Sequence, residues 1–412
     1  MPILRRPLLR NSNTRYLLRF FSSSHNSSIA ACSSDSSVSD SSTAILSSSS
    51  PRLKSLISDL FHERDLDILV EKFKKSSQSF RFRGKHRIYE VTIRRLASAK
   101  RFDSIEEILE HQKQFSDIAK EGFATRLILL YGRSNMFGHA RKLFDELPQL
   151  NCPRTVKSFN ALLTAAVDSK EYETVTRIFH ELAAEISVEH DIFSYNILIQ
   201  AYCKMGSMHS AFLVLEEMKR NGVVPTVITF NSLLNGFYGA NQIENAEKVW
   251  VEMENIGCVP DIISYNAKLR GLVAEGKTHE AMKLVNELRD RGPKPDVFSF
   301  NALIKGYCSE GNLEDAKKVY TELGINGCAP NRWTFELLIP RVIKEGDLAL
   351  AAKLCHESMN QKCSINAGIV QGVVNALVEE SMTMIDEAKK IVKTGVSDSY
   401  HYSGLKLPSG GE

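Results

Sequence analysis

An asparagine recurs along this 412-residue chain at Asn160, Asn196, Asn231, Asn266 and Asn301, at intervals of 36, 35, 35 and 35, each directly after a Phe or Tyr. A primary amide is at once donor and acceptor, so such a series could hold a polar partner, or could simply cap or bond the neighbouring helical hairpin. A second cluster is cationic. Lys72, Lys74, Lys75, Arg81, Arg83, Lys85, Arg87, Arg94, Arg95, Lys100 and Arg101 face only Glu90 within their own stretch of sequence. A solvated charged face ordinarily mixes both signs, so this run reads as a phosphate-contacting patch. Catalytic patterns are missing: His180-Glu181 is followed by Ala184 where a zinc protease needs His. No Cys-x-x-Cys pair, phosphate-binding glycine loop, nucleophile elbow or deaminase signature occurs. No catalytic residue, metal or cofactor is expected, and the chain is read as a non-enzyme.

The elements that must position these side chains follow from two further anchors. Ala211, Ala246, Ala281, Ala316 and Ala351 are each 35 apart, as are Pro225, Pro260, Pro295 and Pro330, which follow Gly222, Gly257, Gly292 and Gly327 by three residues. Placing the first position four residues before each Asn gives units 192–226, 227–261, 262–296, 297–331 and 332–366. Unit 156–191 has one extra residue, and 121–155 and 86–120 are weaker copies. Residues 50–85 and 367–401 read as degenerate end units, and 402–412 as a disordered tail. In 297–331, Phe300, Leu303, Ile304 and Tyr307 form an i, i+3, i+4, i+7 stripe. Gly311 ends it, and Leu313, Ala316, Val319, Tyr320 and Leu323 form a second. Gly327 can adopt the left-handed turn of a helix end, and Pro330 cannot continue the helix. One such hairpin buries too little alone, so neighbours must stack into an all-α solenoid.

Cysteines at matching repeat positions, Cys203 with Cys308 and Cys258 with Cys328, predict packing and not metal binding. With 43% hydrophobic residues, a net charge of +3 and eight cysteines, the chain is neither disordered nor a disulfide scaffold, and no apolar run could span a membrane. Residues 1–34 contain Arg5, Arg6, Arg10, Arg15 and Arg19 and no acid, and Ser-rich sequence follows to Ser50. Arg-rich, Ser-rich and acid-poor is the composition of an organelle transit peptide, so 1–49 is excluded from the fold. Arg19-Phe20-Phe21-Ser22 resembles a mitochondrial processing site. The expected location is the mitochondrial matrix, with the chloroplast as the alternative. Those five arginines against Asp35 and Asp40 account for the whole +3, so the remainder is electrically balanced.

A 35-residue helical pair opening on Val297-Phe298-Ser299-Phe300-Asn301-Ala302-Leu303-Ile304, with Gly-x-x-Pro-[Asp/Asn] at its end, resembles the pentatricopeptide repeat. The tetratricopeptide repeat has 34 residues and a different signature. The units are of the pure class without editing extensions, and no catalytic domain follows residue 401. The arrangement is also similar to short plant mitochondrial members through Val70 to Lys75, Arg81 to Arg83 and Lys120 to Phe123; some of these associate with the mitochondrial ribosome. The resemblance implies a right-handed α-solenoid superhelix, with eight repeats over 86–366, that binds single-stranded RNA. In that family the fifth and last residues of a unit read one base, and the second packs against it. Asn160 with Asp191, Asn231 with Asp261, and Asn266 with Asp296 resemble uracil readers. Asn196 with Thr226 and Asn301 with Asn331 imply a looser pyrimidine preference. The resemblance assigns base-sandwiching roles to Phe193, Ile228, Ile263, Phe298 and Trp333, with Lys157 breaking the series. Glu336, Thr125 and Glu90 depart from Asn at the fifth position. The implied function is post-transcriptional, in RNA stability or translation, on mitochondrial mRNA or rRNA. The alternative is an associated factor of the mitochondrial ribosome that binds rRNA or ribosomal proteins.

Overall fold

The computed structural model describes residues 50–380, 382–398, 402 and 404–408. The targeting segment expected at 1–49 lies outside the described residues. The chain divides into two compact units, one ending at Lys294 and the other starting at Pro295. Within each, helices alternate in antiparallel hairpins, no strand occurs among the described residues, and the first helices of successive hairpins pack side by side.

In the unit ending at Lys294, Val156–Asp168, Ile192–Met205, Val227–Gly239 and Ile262–Ala274 are first helices, each starting where the repeat phase places it. In the other unit, Val297–Glu310, Arg332–Lys344 and Ala367–Glu380 do the same. The local reason is a cap. Asp191, Asp261, Asp296 and Asn331, each the last residue of a repeat, hold extended backbone and accept from the helix N-terminal N–H groups. A Ser or Thr three residues on bonds back to the cap backbone, which satisfies two orphan donors at once. Ala211, Ala246, Ala281, Ala316 and Ala351 are fully buried where second helices meet first ones. Close approach also operates between first helices: a Cβ on Gly132 would stand 2.4 Å from the Ala165 Cα, which no side chain can survive.

Two irregularities have sequence causes. The extra residue of unit 156–191 is absorbed in its second helix, where Tyr172–Arg177 passes through a π turn, Ile178–Leu182, into Ala183–Glu185. A π turn inserts one residue without ending a helix, so the next cap, Asp191, stays in phase. The turn before each cap is left-handed at Asn151, Ser187, Gly222, Gly257, Gly327 and Lys362. Gly292, at the same position, is instead extended with φ −115°. Pro293 follows it, and a residue before proline is pushed into the extended region.

The expectation of a disordered tail from 402 is corrected for the residues the structure describes. Tyr402 and Leu405 are buried, and the Tyr402 hydroxyl lies 2.9 Å from the Ile365 nitrogen, accepting its N–H, and 3.2 Å from the Ile365 oxygen. Two apolar anchors spaced by three residues are enough to seat the segment against the last hairpin.

Candidate nucleic-acid interface

The recurring asparagines sit at the joints between hairpins. Asn160 Nδ2 donates to Asp191 Oδ1 at 2.9 Å, and the Ser194 hydroxyl donates to Asn160 Oδ1 at 2.7 Å. Asp191 Oδ1 also accepts from the Phe193 and Ser194 N–H groups at 3.0 Å. The arrangement recurs two units later. Asn231 Nδ2 donates to Asp261 Oδ1 at 3.0 Å, and Ser264 donates to Asn231 Oδ1 at 2.6 Å. In the unit starting at Pro295, Asn301 Nδ2 reaches Asn331 Oδ1 at 3.1 Å and the Thr334 hydroxyl reaches Asn301 Oδ1 at 2.8 Å. The fifth residue of one repeat, the last residue of that repeat and the third of the next therefore form one bonded triad. The bond to the neighbouring hairpin, which the sequence left open as one reading, is present at these joints.

The triad does not exhaust its members. An amide carries two N–H bonds and a carboxylate two oxygens. At Asn231–Asp261 the hydrogen bonds among the described residues use one N–H of Asn231 and the Oδ1 of Asp261, leaving a donor beside an acceptor. At Asn301–Asn331 the last residue brings an amide in place of the second carboxylate oxygen. Asn196 differs from all of these. It is 4% exposed, the Thr226 side chain carries no carbonyl or carboxylate to receive it, and Asn196 Oδ1 finds no hydrogen-bond partner among the described residues. Asn266 is buried in the helix Ile262–Ala274, while Asp296, in the following unit, caps Val297–Glu310.

Beside these joints lie the apolar second positions. Ile263, Phe298 and Trp333 are 41%, 47% and 42% exposed, and Phe193 and Ile228 are half-buried. Large apolar side chains held open in register are costly to leave in water, and three of the five are flat rings suited to stacking. Lys157 takes this position in the first triad repeat and is exposed.

The repeats that lack Asn at the fifth position use carboxylates, one of which, Glu121, the sequence pattern did not reveal. Thr125 bonds only its own helix, at the Gly122 carbonyl. Its repeat is joined instead through Glu121 Oε1, which accepts from the Thr155 N–H, the Thr155 hydroxyl and the Ser158 N–H at 3.0, 2.7 and 3.2 Å. Glu336 accepts from the N–H of Asn366 and from Arg332 Nε, both at 2.8 Å. Glu90 is paired with Arg133.

The cationic stretch divides in two. Arg83 is corrected: it is buried at 8% exposure, donates to Asp117 at 2.6 Å and to the Ser77 carbonyl at 2.8 Å, and lies over the Phe115 ring. Burial pushes the Asp117 carboxyl up, but bonds from Lys120 and Arg83 outweigh it and hold the pKa below the ordinary value. Arg95 is likewise spent on the Leu60 and Glu63 carbonyls, Lys72 on Glu63, Lys74 on Glu107 and Arg101 on Asp67. Lys75, Lys85, Arg87 and Arg94 remain exposed, and Arg81, also exposed, makes a contact of its own. The acids that neutralise the others come from outside the stretch, which is why sequence alone showed only Glu90.

Among the described residues no cluster could hold a metal ion, and no helix is long and apolar enough to cross a membrane. Burial pushes the Cys203 and Cys308 thiols up to about 12 and about 11, so neither is a thiolate at neutral pH.

The PPR repeat family profile matches residues 190–239, 225–273, 260–309 and 295–344, and a PPR repeat matches 125–152. The chain belongs to the pentatricopeptide repeat family. This repeat protein is 43% identical over 215 residues to the Arabidopsis thaliana small ribosomal subunit protein mS79, a match covering 52% of each chain. It is 46% identical over 181 residues to mS78 of the same plant, covering 44% of this chain and 46% of that one. The matches span about half the length of these curated relatives. Among solved structures, the pentatricopeptide repeat protein PPR10 from maize aligns over 86% of this chain and 59% of its own, at 18% identity and a TM-score of 0.43.

Proposed function

We propose that this repeat protein binds single-stranded RNA in mitochondria and acts after transcription, in RNA stability or translation, without catalysing a reaction. The observation that carries the reading is the unspent donor and acceptor at the Asn160–Asp191 and Asn231–Asp261 joints, each flanked by a half-open apolar side chain. An unstacked base needs a surface to lie on and a hydrogen-bonding pair at its edge. A spare amide N–H beside a spare carboxylate oxygen suits a base that presents a carbonyl beside an N–H, as uracil does at its N3 edge. Where the last residue is Asn331 the spare groups are donors, which suits a base edge of acceptors such as cytosine N3. Lys75, Arg81, Lys85, Arg87 and Arg94 add phosphate contacts.

The test keeps the joint and changes only the reader. In Asp261→Asn the Oδ1 acceptor survives, as it does at Asn301–Asn331, and Oδ2 becomes a donor. The full chain should then lose about tenfold in affinity for a uracil at one position and recover it with cytosine. Unchanged affinity for both sequences, measured at near-physiological salt, would overturn base reading at this joint.

A second reading, association with the mitochondrial ribosome through rRNA or ribosomal proteins, is supported by the names of the relatives mS79 and mS78. Salt-resistant co-sedimentation of the tagged protein with one ribosomal subunit would support it, and a small free particle would end it.

A further inference from the structure

The 35-residue phase that carries Asn301 to Glu336 carries Glu336 to Gln371, the fifth residue of the last hairpin. At Asn160, Asn231, Asn301 and Glu336 the fifth side chain is engaged by the cap region of the next hairpin. Gln371 is instead engaged by the tail. Its Nε2 donates to the Lys406 carbonyl at 2.7 Å, and the Lys406 N–H donates to its Oε1 at 3.0 Å. The other Nε2 hydrogen goes to Asn375 Oδ1 at 2.8 Å, which fixes the amide plane. Both hydrogen-bonding faces of Gln371 are thus held by one peptide residue that presents a donor and an acceptor side by side. Every RNA base offers the same pairing on an edge.

We propose that Gln371 is a further base-contacting residue, and that the Lys406 backbone occupies its place in the free protein as an autoinhibitory strap. The inference rests on the RNA-binding reading above. Tyr402 and Leu405, buried at 3% and 7% exposure, anchor the strap, whereas Lys406 is exposed and touches Gln371 through backbone alone. RNA running onto the last hairpin would therefore displace residues beyond Leu405 while both anchors stay seated. Since each base can supply the edge, the device sets the length of RNA held and not its sequence.

The experiment compares the full chain with a protein ending at Leu405, which keeps both anchors, on oligouridines lengthened one nucleotide at a time. Two bonds are freed, so the shortened protein should bind about tenfold tighter to oligomers one nucleotide beyond the plateau of the full chain. Gln371→Ala in the shortened protein should abolish that gain. Lys406→Pro in the full chain removes the strap N–H and keeps its carbonyl, so it should give a smaller gain, with Lys406→Ala as the control for the lost charge and melting temperature confirming that the fold is intact. Plateaus at the same length in all five proteins would overturn the inference and leave a simple end cap. Failure of the full chain to bind any oligomer would overturn the RNA-binding reading, and this inference with it.

Discussion

Arg83 and Asp117 tie the first hairpins of the chain together, as Asn231 and Asp261 tie two hairpins in its middle, and the two joints differ in what they leave over. At the first, a buried guanidinium satisfies a buried carboxylate, two backbone carbonyls take further N–H groups, and Lys120 reaches the second carboxylate oxygen. Around it, Tyr89 donates to Gln112, and Gln112 to Ser77. At the second, one amide and one carboxylate oxygen are spent, and a donor and an acceptor remain next to an open apolar side chain. The first kind of joint can only hold the hairpins; the second can hold them and still bond a ligand.

That contrast can be broken from its stronger side. Asp117→Ala leaves Arg83 charged, buried and unpaired, which costs about 3–5 kcal/mol in comparable cases. Chemical denaturation should show that loss, and a midpoint close to the native one would mean the joint is not structural. Asn231→Ala strands Ser264 and one bond of Asp261 and should cost less, about 1–3 kcal/mol, while also weakening RNA binding. Its two effects must be read together, because loss of binding alone could follow from a loosened joint.

Acidification separates the same joints. The folded Asp117 carboxyl titrates below its ordinary value, so its stabilisation is complete above about pH 3.9 and disappears as pH falls through the lower folded value. Native protein should lose stability across that window, and Asp117→Asn should show a flatter profile there. An identical slope in both would place the acid sensitivity elsewhere. The smallest effects belong to the cationic stretch. Lys75→Ala or Arg94→Ala should each lower the salt dependence of RNA binding by about one counterion while leaving stability unchanged. Lys74→Ala, whose charge is already paired with Glu107, should change it less. Equal effects would mean that the ion pair opens on binding.

The sequence made the hairpin boundaries legible to the residue, since the first helices start at Val156, Ile192, Val227, Ile262, Val297 and Arg332 as the phase requires. It did so because capping acts over three residues and apolar stripes over seven, both inside one hairpin. Gln371 was legible in the same phase, although its repeat reads as degenerate. The extra residue of unit 156–191 was visible as a count, but only packing decided that a π turn would absorb it. The candidate site was legible as positions and not as bonds. Nothing in the words around Asn160 or Asn231 says that their amides are half spent, because Asp191 and Asp261 lie 31 and 30 residues away.

The repeat, its helices, their caps and the alignment of Asn, Asp and apolar side chains along the chain were thus determined by sequence alone, through short-range hydrogen bonds and helical periodicity. Tertiary structure decided which polar groups are free. The Arg83 charge is paired with Asp117, 34 residues on, and that of Lys74 with Glu107, 33 residues on. Stacked hairpins bring side chains about one repeat apart into contact, so the availability of each charge or amide is set by a neighbour that its own stretch of sequence does not contain.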